Sequence, residues 1–431
     1  MKFSGGVHPK EEKITRHYRI SVLPTPQFVV LPLSQHTGKP SIPLVKSGDY
    51  VLRGQKIAQP DGLISASLHS PVSGKVVGIN EVVHPTLCKK SPAIFIESDG
   101  HNKTVECNTK YKEYFRYPPE ELLNHIKESG IVGLGGAAFP THVKLSPPKD
   151  KVIDYVIANG CECEPYLTCD DRVMQEYALE VVEGLKIVMY ILNALKGIIV
   201  VEDNKIEAYQ KLKDKVVKAP NIEIKLVKTR YPQGAEKQLI KTVLGKEVPS
   251  GGLPMDVNVV VHNVSTLVAI YNAVEKGIPL IERVITISGD VERKGNFLVP
   301  IGMMVKDVIK FLNISVENIK KIIFGGPMMG IAQSSLDVPI IKGTSGVLFF
   351  KDSLKNEYMQ CIRCGKCVMV CPMKLMPNFL SLYIEHEKWD KVKLYSPFDC
   401  IECGCCSYVC VAKRPIVLQI KYAKSVLSVK K

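Results

Sequence analysis

The sequence predicts a multidomain α/β protein: a β-rich N-terminal unit, an alternating helix–strand layer, a smaller mixed β unit and a cysteine-rich C-terminal unit. Three observations predict it. Short β-type runs broken by Gly and Pro fill residues 1–105, helix and strand periodicities alternate over 110–275, and nine cysteines fall between Cys361 and Cys410. At 431 residues the chain is too long for one ordinary core. Its 45% hydrophobic and 23% charged content is that of a folded chain.

In the first unit, Val45 to Ala58 alternates around two turn signals, and Ser70 to Val77 follows in the same style. The pattern resembles the barrel-sandwich of biotinyl and lipoyl carrier domains. Those carriers present a modifiable Lys at a hairpin tip. Here the corresponding stretch reads Ile64-Ser65-Ala66-Ser67-Leu68-His69, so the resemblance implies a structural relative without a swinging arm. In the second unit, Val152 to Ala158 reads as a buried strand, and Arg172 to Lys196 as an apolar-periodic helix ended by Gly197. Ile198 to Val201 is the next strand, a helix starts at Asp203 or Asn204, and Ile222 to Val227 is strand again. Such alternation implies a largely parallel sheet, whose ligands sit at the carboxyl ends of its strands. Asn159-Gly160-Cys161-Glu162-Cys163-Glu164-Pro165 falls at such an end. Over 280–350, the strand Val284 to Ser288, a short helix from Val305 to Leu312 and the tight loop Gly325 to Gly330 fit a small mixed β domain.

The formal charge of +14 suits nucleic acid, an anionic membrane surface or acidic proteins. No nucleic-acid motif is present, so the last two remain. Val411 to Lys431 carries Lys413, Arg414, Lys421, Lys424, Lys430 and Lys431 and no acid, which reads either as a solvated basic tail or as a docking patch. No stretch is apolar enough to span a bilayer, since Val181 to Val201 is interrupted by Glu183, Lys186 and Lys196. Met1 to Gly6 lacks the apolar core of a signal peptide. The expectation is a cytoplasmic protein that reaches a membrane through partners.

Fourteen cysteines would suggest disulfides in a secreted chain, but nine of them stand at metal-ligand spacing. Cys361-x2-Cys364-x2-Cys367-x3-Cys371-Pro372 is matched by Cys400-x2-Cys403-x2-Cys406-x3-Cys410. This is the bacterial ferredoxin spacing, in which the last Cys of each motif serves the other of two [4Fe–4S] clusters. One cluster is thus expected on Cys361, Cys364, Cys367 and Cys410, the other on Cys400, Cys403, Cys406 and Cys371. The second motif has Val411 in place of Pro and an extra thiol, Cys405. Structural zinc is the competing reading, although zinc sites usually show separated pairs rather than two runs of four. Cys161, Cys163 and Cys169 read as buried free thiols or as a further metal site.

The second signal is Gly130-Ile131-Val132-Gly133-Leu134-Gly135-Gly136-Ala137-Ala138-Phe139-Pro140-Thr141-His142-Val143-Lys144. Clustered glycines let backbone N–H groups approach a planar or anionic ligand, and Lys144 adds a cation. Alone, such a loop is often only a tight turn. With Asn159 to Pro165, Tyr231-Pro232-Gln233-Gly234-Ala235-Glu236 and Val261-His262-Asn263-Val264-Ser265-Thr266, it resembles the FMN- and NADH-binding subunit of respiratory complex I. The order of parts resembles the RnfC family over nearly the whole chain. That family is the C component of the Rnf electron-transport complex, an ion-pumping ferredoxin:NAD+ oxidoreductase. The resemblance implies four domains: a barrel-sandwich over 1–105, an α/β flavin domain over 110–275, a β-grasp-like ligand-binding domain over 280–350 and a dicluster ferredoxin-like domain over 355–420.

The resemblance further implies FMN, with NAD(H) as substrate, two [4Fe–4S] clusters, partner subunits in a membrane complex, and a peripheral place on the cytoplasmic face. Carried over by position, Gly133, Gly135, Gly136, Lys144, Asn159, Glu162 and Glu164 would touch the isoalloxazine and ribityl groups. Asn263 and Thr266 would hold the phosphate, and Tyr231, Gly234 and Glu236 would line the flavin and nicotinamide side. No catalytic residue is assigned. Cys161, Ala235 and Lys237 depart from the acidic residues of complex I, which weakens the nicotinamide side more than the flavin side. A cobalamin reductase of bacterial microcompartments shares these modules in a different order. A wiring subunit with a vestigial flavin pocket is the rival of another class.

Overall fold

The computed structural model describes residues 3–87, 89–107, 109–353 and 357–429. In the N-terminal unit, Phe28–Pro32, Lys90–Ser98, Gly74–Val83 and Tyr50–Val51 form an antiparallel sheet. A second, three-stranded sheet is made by Ile42–Pro43, Lys56–Gln59 and Leu68–His69. Alternation in these strands turns Val29, Leu31, Val51, Ile57, Leu68, Val76, Ile94 and Ile96 into a core between the sheets. The hairpin tip rests on the glycine-rich segment: Thr37 N–H donates to the Ala138 carbonyl at 3.1 Å, and His142 bonds the Leu63 carbonyl at 3.1 Å. The barrel therefore braces that segment.

The α/β layer is a four-stranded, fully parallel sheet in the order Ile222–Val227, Lys196–Glu202, Tyr155–Gly160, Val259–Asn263. Val156, Ala158, Ile199 and Val201 face the helices Pro119–Glu128, Ala178–Leu192 and Val264–Lys276. Ile157, Ile198, Val200, Val259 and Val261 face Leu239 and Ile240 of the helix Glu236–Leu244. Both faces are covered over the inner strands, which is why Val156 to Ala158 and Ile198 to Val201 read as unbroken apolar runs, while the edge strand Ile222–Val227 leaves Glu223 exposed. At Gly184 an added Cβ would lie 2.1 Å from the Leu267 carbonyl oxygen, so glycine lets helices Ala178–Leu192 and Val264–Lys276 touch.

The single helix expected from Arg172 to Lys196 is two, Cys169–Glu176 and Ala178–Leu192. The break coincides with a contact to a segment distant in sequence. Glu176 Oε1 accepts from Ile20 N–H at 2.9 Å and Arg172 Nε at 2.8 Å, which ties the first helix to the third domain while the second follows Val264–Lys276. The second helix ends at Asn193 in the left-handed region, and Gly197 lies inside the next strand.

The third domain is a six-stranded mixed sheet, ordered Ile20–Val22, Gly295–Pro300, Glu282–Gly289, Gly346–Phe350, Lys321–Phe324, Ile331–Gln333. The helix Val305–Leu312 buries Val305, Val308 and Leu312 against it. Its edge strand Ile20–Val22 comes from the chain's N-terminal segment and pairs in parallel with Asn296 to Leu298.

The C-terminal domain repeats one pattern twice. Each cysteine run passes a left-handed glycine, Gly365 or Gly404, into a short helix, Lys366–Met369 or Cys405–Tyr408. Longer helices follow, Pro377–Glu385 and Ile416–Val429, packed through Leu380, Ile384, Ile416, Ile420 and Ala423. Part of the basic C-terminal run is spent inside the domain, while Lys413 stays exposed. Arg414 is buried and bonds Glu385 at 2.6 Å, and Lys424 donates to the Cys400 carbonyl at 2.6 Å. Lys430 and Lys431 lie outside the described residues. No described helix is long and apolar enough to cross a membrane.

Candidate flavin pocket and iron–sulfur sites

The two cysteine motifs fold across each other. One cavity is lined by Cys400, Cys403 and Cys406 together with Cys371, and the other by Cys361, Cys364 and Cys367 together with Cys410. Each cavity thus gathers three thiols of one motif and the last thiol of the other, the arrangement of crossed ligation. Among the described residues no three Cys, His, Asp or Glu groups converge as around a single ion. Thiols spaced around a void suit a cubane better than zinc, whose ligands close directly on the metal. Backbone N–H groups already point at sulfur: Leu375 N–H donates to Cys371 Sγ at 3.3 Å and Glu402 N–H to Cys400 Sγ at 3.4 Å.

The two sites differ in surroundings. Cys403 and Cys405 are buried with Val7 and Tyr231, against Met328 and Val370. At the other site Cys364 is exposed and its neighbour Ile362 is 67% exposed. One site is internal and faces the α/β domain; the other opens outward.

The flavin-pocket candidates gather at the carboxyl ends of two adjacent strands. Asn159 and Asn263 are register partners there. The glycine loop lies over them, since a Cβ on Gly135 would come within 3.3 Å of Asn263 Cβ. Gly133 N–H donates to the Phe139 carbonyl at 2.8 Å, closing the loop, and Gly136 sits at φ +108° with nothing within 4 Å of an added Cβ. Asn159 bridges two segments, donating to the Gly234 carbonyl at 2.8 Å and accepting from Cys161 N–H at 3.0 Å. Gly234 itself is required by close approach, with a Cβ position 2.3 Å from the Cys161 carbonyl oxygen. Lys144 is ion-paired with Glu236.

Other candidates spend their polar atoms on the protein. The Asn263 side chain caps the helix Val264–Lys276 by accepting from Ser265 and Thr266 N–H, and donates to Asp170 at 2.6 Å. Thr266 Oγ accepts from Leu134 N–H at 2.9 Å. Glu162 accepts from Asp170 N–H at 2.9 Å and Asp171 N–H at 3.3 Å, so it caps the helix Cys169–Glu176 from six residues upstream of Thr168. Glu164 accepts from Met328 and Met329 N–H at 3.0 and 2.8 Å, reaching the loop Gly325 to Gly330. Burial pushes both carboxyls up to about 7. The Tyr231 hydroxyl donates to the Cys403 carbonyl at 2.7 Å, and burial pushes its phenol up, which keeps it a donor. The structure therefore links Gly135 and Asn159 to Asn263, Asn159 to Gly234, Lys144 to Glu236, and Thr266 to Leu134 of the glycine loop. The carboxylates of Glu162 and Glu164 and the hydroxyl of Tyr231 are committed elsewhere.

The residues present fit a flavin: a glycine cradle with open space at Gly136, paired strand ends, and a buried Gln233 Nε2 without a hydrogen-bond partner beside Gly234. Cys161, Cys163 and Cys169 do not converge. Their sulfurs meet the Val200 carbonyl at 3.9 Å, Gly234 N–H at 3.4 Å and Glu162 Oε1 at 3.2 Å, and burial pushes all three thiols up. Sequence reasoning missed Lys13, whose ammonium donates to the carbonyls of Glu162, Glu164 and Leu167, and Asp170, which bonds Asn263 and Ser265. An acidic residue opening a helix was a weak signal for Asp170. A lone lysine in a polar stretch gave none.

This geometry defines a flavin and iron–sulfur electron-transfer protein, and comparison with known proteins narrows the class. The chain matches the RnfC barrel sandwich hybrid domain over 1–101, the Nuo51 FMN-binding domain over 126–272, the SLBB domain over 284–332 and the 4Fe-4S dicluster domain over 360–413. It is 48% identical to the C subunit of the proton-translocating ferredoxin:NAD(+) oxidoreductase complex of Clostridium ljungdahlii, over 98% of this chain and 93% of that one. It is 42% identical to the Na(+)-translocating counterpart of Acetobacterium woodii, over 98% and 96%. The fold also resembles a solved NAD+-reducing [NiFe]-hydrogenase in the air-oxidized state, at TM-score 0.51 and 18% identity, covering 75% of this chain and 64% of that one. The chain belongs to the RnfC family, the C subunits of ion-translocating ferredoxin:NAD(+) oxidoreductase complexes.

Proposed function

We propose that this subunit exchanges electrons with NAD(H) at its FMN domain and relays them through two [4Fe–4S] clusters in a fixed order. Bound FMN would supply the conversion between the two-electron chemistry of a nicotinamide and the one-electron chemistry of a cubane. The chain's own residues do the rest. Gly133, Gly135 and Gly136 admit the ligand, Asn159 ties its strand end to the Gly234 loop beneath it, and Lys144 and Glu236 face it as an ion pair. Asn263 and Thr266 close the opening at the helix N-terminus, where an anion is favoured.

The observation that carries the reading is the asymmetry of the two cysteine sites. The set Cys371, Cys400, Cys403 and Cys406 is packed against Val7, Tyr231 and Met328, next to the flavin domain. The set Cys361, Cys364, Cys367 and Cys410 lies beyond it, by exposed Tyr358, Met359, Ile362 and Met369. Electrons then pass between flavin and solvent-facing partner through the inner site first. The exposed apolar rim, with Arg363, Lys366 and Lys413 nearby, supports docking of another subunit of the complex there. Association through partners, peripherally on the cytoplasmic face, is the placement this implies.

The test is composition. Anaerobically prepared protein is expected to hold about eight irons, eight labile sulfides and one noncovalent FMN. Stoichiometric zinc without sulfide, or no flavin binding on reconstitution, would sink it.

A further inference from the structure

Both ligand loops of the inner cluster site reach the α/β domain at one residue. The Tyr231 hydroxyl donates to the Cys403 carbonyl at 2.7 Å. The Tyr231 main chain is paired with Val7 in both directions, at 2.8 and 3.0 Å, and Gly6 N–H donates to the Val370 carbonyl at 2.8 Å, one residue before Cys371. Gly5, at φ +75°, lets this segment lie on the loop: a Cβ there would come within 2.7 Å of the Val370 oxygen and 2.8 Å of Cys371 backbone atoms. Tyr231 is 2% exposed, so its hydroxyl has no water to fall back on and the Cys403 carbonyl is its partner. Cys371 and Cys403 line the same cavity. The side chain and the main chain of one residue thus hold two ligand loops of one cluster.

We propose that Tyr231 is a positioning residue for interdomain electron transfer, fixing the cluster of Cys371, Cys400, Cys403 and Cys406 against the flavin domain through the Cys403 carbonyl and the Gly5 to Val7 strap. The inference rests on the flavin and cluster reading above. The transfer moves one electron between the isoalloxazine and the cubane, and no bond is made or broken. Orientation of the two groups would therefore be the protein's contribution, and moving the Cys403 backbone, which carries a ligand sulfur, would also shift the cluster's potential.

Tyr231→Phe removes one hydrogen bond and leaves the packing. In the full chain carrying both clusters, it should shift the midpoint potential of the EPR signal that Cys403→Ser alters, and leave the other signal in place. On mixing with NADH, the rate of cluster reduction relative to flavin reduction should fall about tenfold. Unchanged potentials, or equal shifts of both clusters, would overturn the proposal. Should Tyr231→Phe fail to retain the inner cluster, Gly5→Ala strains the same seam from the Cys371 side and must shift that signal alone, or the proposal falls. The potentials are read in flavin-free protein as well, so a failed flavin reading and a failed clasp are distinguishable.

Discussion

Replacing Lys13 by Met asks how much of the loop over residues 160–168 depends on one buried cation. The Lys13 side chain is 7% exposed and donates to the carbonyls of Glu162, Glu164 and Leu167 at 2.8, 3.0 and 2.6 Å. All three of its donors are used. Three charge-assisted bonds at roughly 2 kcal/mol each amount to about 6 kcal/mol. Returning an ammonium to water recovers several kcal/mol, while Met keeps the packing of the stem, so a net loss of about 3 kcal/mol remains. As a local opening equilibrium that is roughly 150-fold. Amide hydrogen exchange over residues 160–168 reads it directly, and the loop should lose that protection while the barrel keeps its own. A change below tenfold would refute the argument, because the three bonds would then be worth no more than solvent. The pH dependence has a definite sign. Burial, reinforced by nearby Lys205, lowers the Lys13 pKa below 10.5 against the pull of Glu162 and Glu202. In the window between that lowered value and 10.5 the unfolded chain binds more protons, so stability rises with pH. Lys342, lowered to about 7 by burial, acts in the same direction. Only the difference between wild type and Lys13→Met isolates Lys13, and that difference should grow as the pH rises through the window.

Gly136→Val should abolish FMN binding measured by fluorescence and cost about 1–3 kcal/mol for its left-handed backbone. Gly62→Val, at φ +84° with equally open space in the barrel, should carry a similar backbone cost and leave FMN binding intact. Cys371→Ser should perturb the same EPR signal as Cys403→Ser, and Cys410→Ser the same as Cys364→Ser; grouping by motif instead would refute crossed ligation. Alkaline carbonate should strip the subunit from membranes without detergent, and retention in the absence of its partners would contradict peripheral attachment.

The cluster ligands were legible because a cubane imposes its spacing on the local chain. Three thiols two residues apart can only wrap one corner region, and doubling the run fixes the partner of each fourth thiol. The parallel sheet was legible for a related reason: strands covered on both faces, such as Lys196–Glu202, are apolar through their middles, while the edge strand Ile222–Val227 alternates through Glu223 and Lys225. The helix Val305–Leu312 also stands where its periodicity put it. The break at Tyr177 was not legible, because apolar periodicity continues through it. It is made by Glu176 binding Ile20, a partner 156 residues away in sequence.

The N-terminal segment shows the same limit more sharply. Residues 3–22 have no repeating pattern, yet they tie all three neighbouring domains: Gly6 to Val370, Val7 to Tyr231, Lys13 to Glu162 and Leu167, and Ile20–Val22 to the third sheet. Almost every one of these contacts uses backbone atoms, and backbone atoms leave no mark on residue identity. Gly5, Gly6 and Lys13 are the exceptions: side chains are excluded at Gly5, with φ +75° and a 2.7 Å approach to Val370, and at Gly6, with φ +83° and a 2.6 Å approach to Tyr231, while Lys13 bonds through its ammonium. The two relatives named for different coupling ions both align over 98% of this chain. In this chain the strap joins the Tyr231 loop of the α/β domain to the Val370 end of the inner cysteine site, so its main-chain bonds hold those two domains in one arrangement.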